Sequence, residues 1–123
     1  MAQYKTYTEA EIVNRLTGKL QHWRLENGHI CRRYQTDAWK TSLMVVNTIG
    51  HLAEAAWHHP DLEVSFPAVV VKLQTHDAGG ITDLDFELAI QIEQVVQWQP
   101  GAAEGALPGP PGDNPQFRYL RYD

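Results

Sequence analysis

The chain has 123 residues, 43% hydrophobic and 20% charged, which is the length and apolar content of one domain with a buried core. Its formal net charge of −5 argues against nucleic acid and anionic membrane as partners, since both call for clustered Lys and Arg. The one cysteine, Cys31, excludes an internal disulfide framework and a multi-thiolate zinc site, and reads as a buried thiol in a reducing compartment. No apolar run reaches membrane-spanning length, and the start Met1-Ala-Gln-Tyr-Lys5 lacks the apolar segment of a secretory signal. The expected location is the cytoplasm.

Thr8-Glu-Ala-Glu11 predicts a capping box opening a short helix, with Ile12, Val13 and Leu16 at helical spacing and Gly18 at its end. Residues 20–26 and 29–35 flank Asn27-Gly28, a pair that accepts the positive φ angles of a tight hairpin turn, and so read as two antiparallel strands. Thr36-Asp37 offers an N-cap for a long helix. Its apolar stripe is Val45, Ile49, Leu52 and Ala56, widened by Met44, Val46, Ala53 and Trp57, and its end is expected near His58. Pro60 disfavours helical geometry at His59.

Residues 63–66 predict a third strand and 68–75 a fourth, with Pro67 tolerated at an edge or corner. Val69, Val71 and Leu73 alternate with Val70, Lys72 and Gln74, the period of a sheet with one buried face. Asp77-Ala-Gly-Gly80 makes a flexible turn, and Thr82 caps a last helix carrying Leu84, Phe86, Leu88, Ala89, Ile92, Val95 and Val96. The order implies an α+β domain: a four-stranded antiparallel sheet with three helices packed on one face. Beyond Trp98 the composition changes, because residues 100–115 hold five of the seven prolines and four glycines. That predicts an extended tail. The closing Phe117, Tyr119 and Tyr122 are apolar enough to dock on their own domain or a neighbouring subunit, with fraying as the alternative.

Three of the six histidines gather in Glu54-Ala-Ala-Trp-His58-His59-Pro60 and Thr75-His76-Asp77. Glu54 and His58 are four apart, so on a helix the carboxylate faces the imidazole and favours its charged form, although such a pair also serves as a plain surface contact. Adjacent histidines in one pocket couple their titrations, holding one neutral while the other keeps a proton. His76 precedes a Gly-Gly turn, where a loop carries function or a turn histidine is merely structural. His22, His29 and His51 read as surface or packing residues. A histidine-ligated metal held by Glu54, His58, His59 and His76 is a further reading of the same residues.

Glu54-x-x-x-His58-His59-Pro60, the aromatic Phe66, Thr75-His76-Asp77 and Gly80-Ile-Thr-x-x-Asp85, with Trp23 and Tyr34 upstream, resemble the pterin-4a-carbinolamine dehydratase family across residues 8–97. The resemblance implies dehydration of 4a-hydroxytetrahydropterin to quinonoid dihydropterin in tetrahydropterin recycling, with no metal and no redox cofactor. It also implies assembly as a homodimer or homotetramer. By resemblance His58, His59 and His76 line the pterin pocket as catalytic residues: His58 or His76 moves protons, and His59 binds. Glu54, Thr75, Asp77 and Asp85 bind or tune, Glu54 orienting one imidazole and Asp85 lying near the mouth. On this reading residues 1–98 are the dehydratase-like domain and 99–123 a Pro/Gly-rich tail with an aromatic terminus.

Trp57 stands where the better-known animal pattern has Asp or Asn, Leu84 where it often has a basic residue, and the tail looks like that of a longer bacterial subgroup. Some bacterial relatives are thought to assist Rubisco assembly near α-carboxysomes without catalysis, and animal relatives serve as dimerisation cofactors of a homeodomain factor. A Rubisco partner is therefore the alternative to pterin turnover. Four ionisable groups in one cluster favour catalysis, because a scaffold has no physical need of them.

Overall fold

The first helix, α1 (Glu9–Arg15), opens on the capping box: the Thr8 hydroxyl accepts from Glu11 N–H and the Glu11 carboxylate accepts from Thr8 N–H. In this computed structural model, which describes residues 4–100, 105–112 and 115–123, α1 ends at Arg15 with Leu16 as its C-cap, short of Gly18. Gly18, at φ 70°, instead begins a single 3₁₀ turn (Gly18–Leu20) that drops Leu20 into the core. The first strand is correspondingly shorter than the sequence predicts. It runs Arg24–Glu26 as β1, with Trp23 just ahead of it and buried.

Asn27 and Gly28 both take positive φ and turn β1 into β2 (His29–Gln35), the geometry of a type I′ hairpin. The expected Thr36-Asp37 cap does not form. The Thr36 hydroxyl is spent on Ser42 at 2.6 Å, and Asp37 has φ 56°. Both their amides donate to the Pro67 carbonyl, which fixes that proline at the corner. The long helix α2 (Trp39–Ala56) therefore starts from an uncapped, extended Ala38. Its buried stripe is Thr41, Ser42, Val45, Ile49 and Ala53. Leu52 and Val46 are half-buried, whereas Met44, Ala56 and Trp57 face solvent.

The remaining strands are β3 (Asp61–Val64), two residues earlier than predicted, and β4 (Ala68–Leu73), with Thr75 making a separate bridge to Gly80. All pairings are antiparallel in the order β1-β2-β4-β3. Register places Ile30, Tyr34, Val69, Val71 and Leu73 on one face, and these meet the apolar sides of the helices in a single cluster. The last helix, α3 (Asp83–Val96), is capped by Thr82 and contributes Phe86, Ala89 and Ile92, all fully buried. The architecture is α+β, a four-stranded antiparallel sheet with three helices.

One polar node lies within this core. Glu93 of α3 accepts from Trp23 Nε1 (2.9 Å), Tyr34 OH (2.7 Å) and the Arg32 guanidinium (2.9 and 3.2 Å). Burial alone would raise the Glu93 carboxyl, but these donors and the Arg32 charge outweigh it and hold the group below its ordinary range. Burial, then the Glu93 charge, pushes the Tyr34 phenol up. The chain's last residue joins the node, the Asp123 carboxylate pairing with Arg32. Nearby, Leu120 is buried in the main cluster, Tyr119 and Tyr122 pack against it, and Arg121 N–H donates to the Gln35 carbonyl at 3.1 Å.

Candidate active site

Two chain reversals bring the singled-out residues together, and the first is the end of α2. Trp57 turns left-handed (φ 54°, ψ 46°), its amide reaching Glu54 O while His58 N–H reaches Ala53 O. This is a Schellman closure, which usually places glycine at the left-handed position. The helix thus stops two residues short of His58, and the expected i, i+4 facing of Glu54 and His58 is lost. The partners are exchanged instead. Glu54 Oε1 meets His59 Nε2 at 2.6 Å, and His58 Nε2 meets Asp85 Oδ1 at 2.7 Å.

The second reversal runs from the end of β4 into α3. Thr75 N–H donates to Gly80 O, a 3₁₀ turn (His76–Ala78) follows, and Gly79 takes φ 71°. Thr82 then caps α3, and Asp85 at its third position accepts from Thr82 N–H at 2.9 Å. The same Oδ2 accepts from the Thr75 hydroxyl at 2.7 Å. Asp85 is therefore fully buried with both oxygens occupied, not at the cleft mouth. It is a capping residue and a histidine anchor at once.

Above this anchor is an open cleft of about 910 Å³ whose walls include His58, His59, His76, Thr75 and Asp77. That is room for a small bicyclic ligand. His58 is mostly covered, its side chain 13% exposed, whereas the His59–Glu54 pair is at the surface, 49% and 69% exposed. His76 and Asp77, which also line the cleft, are exposed too. Glu54 does not line the cleft; it reaches it only through His59.

Sequence reasoning missed Tyr4, Thr6 and Gln74 as cleft residues. The first two are placed by Tyr7 N–H donating to Ile81 O, which lays the N-terminal segment beside the Gly80 turn. A β-carbon on Gly80 would stand 3.2 Å from Thr6 Cγ2, so the second glycine of the turn was the available signal. Glu54, His58, His59 and His76 do not form a ligand set: among the described residues no group of three or more His, Cys, Asp or Glu could hold a metal ion. The two adjacent imidazoles are committed to different carboxylates. A smaller hollow of about 420 Å³ lies between α3 and the tail, walled by Val95, Trp98, Leu107, Tyr119 and Tyr122. Among the described residues its walls carry no imidazole or carboxylate, so acid–base chemistry points to the first cleft.

No helix among the described residues is long and apolar enough to cross a membrane. Residues 5–95 match the family model for pterin 4 alpha carbinolamine dehydratase. A provisionally named pterin-4-alpha-carbinolamine dehydratase of Aquifex aeolicus is 51% identical over 87 residues, covering 71% of this chain and 88% of the relative. A relative of the same provisional name from Roseiflexus castenholzii is 40% identical over 88 residues, 72% of this chain and 94% of its own. Among solved structures, a transcriptional coactivator/pterin dehydratase from Brucella melitensis superimposes with a TM-score of 0.67 at 26% identity, covering 74% of this chain and 98% of that one.

Proposed function

Since the chain belongs to the pterin 4 alpha carbinolamine dehydratase family, we propose that it converts 4a-hydroxytetrahydropterin to quinonoid dihydropterin by histidine acid–base catalysis. The reaction breaks the C4a–O bond and removes the N5 proton as the C4a=N5 bond forms, so the oxygen leaves as water only if a proton is delivered to it. Hydroxide is a poor leaving group, and imidazoles, with ordinary pKa near 6.5, suit both transfers at neutral pH.

The observation that carries this reading is the buried carboxylate behind His58. A His58 that donates Nε2–H to Asp85 keeps a basic Nδ1, and the anchored carboxylate stabilises the imidazolium formed when that nitrogen takes a proton. We assign the N5 proton to His58 and protonation of the departing hydroxyl to His76, which lines the same cleft. His59, held by Glu54, contributes to binding, and Asp77 offers an acceptor to the N–H donors of the pterin ring. Asp85 and Thr75 act as positioning residues.

The test is turnover of 4a-hydroxytetrahydropterin by the purified chain and its His58→Ala, His59→Ala and His76→Ala variants, with circular dichroism as the check on folding. His58→Ala and His76→Ala are each expected to lose about 10²-fold or more in kcat, and His59→Ala to raise KM. Folded wild-type protein without turnover would overturn the reading and leave a binding role of the Rubisco-assembly kind in its place.

A further inference from the structure

Three non-glycine residues have positive φ among the described residues: Asn27, Asp37 and Trp57. Asn and Asp tolerate the left-handed region because their short side chains bond locally, whereas a bulky indole there is a backbone outlier. Glycine or asparagine would close α2 with less strain. Trp57 is also, at 77%, the most exposed large apolar side chain among the described residues. Neither its strain nor its exposure contributes to folding. Both occur at the wall of the cleft, next to His58, where strained positions serve function more often than elsewhere.

The indole is held in orientation. Its ring meets the His59 imidazole edge to face, centroids 5.1 Å apart at 81°, and His59 is in turn fixed by Glu54. The sequence Glu54, His59, Trp57 is thus a chain of contacts ending in an aromatic surface at the cleft, with Leu84 as a second apolar wall residue. We propose that Trp57 is a specificity residue: its indole packs against the flat ring of the ligand and selects ligands that present a planar heterocycle to it. This deepens the dehydratase reading and rests on it for the identity of the ring. It also gives Glu54 a role, since the carboxylate orients the wall through His59 rather than tuning the proton-transfer histidine.

The experiment compares wild type with Trp57→Asn, which suits left-handed backbone but lacks the ring, and Trp57→Phe, which keeps an aromatic face. Steady-state turnover of 4a-hydroxytetrahydropterin is measured beside tryptophan-fluorescence titration with 7,8-dihydropterin, which has no 4a-hydroxyl to lose. Loss of one ring contact is expected to raise KM and the dihydropterin Kd about tenfold in Trp57→Asn, with kcat within about twofold and a melting temperature equal to or above wild type. Trp57→Phe is expected to bind within about threefold of wild type with a smaller quench. Wild-type KM and dihydropterin affinity in Trp57→Asn would overturn the proposal while leaving the dehydratase reading in place. Wild type that binds dihydropterin through Trp57 but turns nothing over would overturn the dehydratase reading and keep the aromatic wall. Wild type that does neither removes both.

Discussion

His58 Nε2 and Asp85 Oδ1 stand 2.7 Å apart, although 27 positions separate them in sequence. One partner follows a left-handed helix end and the other sits in a capping box, so two local motifs with separate folding reasons meet in a single hydrogen bond. The carboxylate cannot turn away, because Thr75 and Thr82 hold its second oxygen.

That saturation makes Asp85→Asn informative. An amide oxygen in the Oδ2 position keeps both threonine bonds, which leaves the amide NH₂ facing His58 Nε2 and forces that nitrogen to accept. The imidazole proton then moves to Nδ1, the nitrogen assigned to take the substrate proton. The expected result is a kcat loss of about 10²–10⁴-fold with a stability loss of about 1–2 kcal/mol by urea denaturation. A variant with kcat within threefold of wild type would remove Asp85 from the mechanism.

Glu93 carries the clearest pH signature. Its folded carboxyl lies below the ordinary 4.5, so its contribution to stability is complete above that pH and is lost as the pH falls through the lower folded value. Glu93→Gln leaves Arg32, 4% exposed, without its main counter-charge and is expected to cost about 3–5 kcal/mol at pH 7. Urea midpoints measured from pH 7 to pH 3 should show the gap between variant and wild type closing below pH 4.5. A gap that stays constant across that range contradicts the ionised node.

Leu120 tests whether the C-terminal segment belongs to the core in solution as it does in the structure, where it is 2% exposed. Leu120→Ala is expected to destabilise by about 2–4 kcal/mol, while Leu107→Ala, at a position 61% exposed, stays within about 0.5 kcal/mol. Thermal denaturation of the two variants reads the difference. Equal melting temperatures would mean that the segment leaves the core in solution.

Much of the fold was legible because its signals are local. Thr8 with Glu11, Asn27 with Gly28, Thr82 at the start of α3 and the alternation of Val69, Val71 and Leu73 each depend on backbone geometry a few residues long, and each element formed where such a signal was strong. Thr36-Asp37 does not cap α2 because the side-chain oxygens a cap would use are taken elsewhere, the Thr36 hydroxyl by Ser42 and the Asp37 carboxylate by Gln35 and by Arg121 from the far end of the chain.

The sequence by itself determined that His58, His59, Thr75, His76 and Asp77 fall at two chain reversals, which Pro60 and Gly79-Gly80 announce, and these five line the cleft beside Tyr4, Thr6 and Gln74, which no local signal marked. Only the tertiary structure decided which carboxylate meets which imidazole. Helical spacing pairs Glu54 with His58, yet one left-handed residue at Trp57 rotates the chain so that His59 takes Glu54 and His58 turns inward to Asp85. A single backbone angle is worth only about 1–2 kcal/mol, too little for propensity to reveal. The buried Asp85 carboxylate, held by Thr75 and Thr82, gives His58 its inward partner, and that contact joins positions that no local stretch of sequence contains.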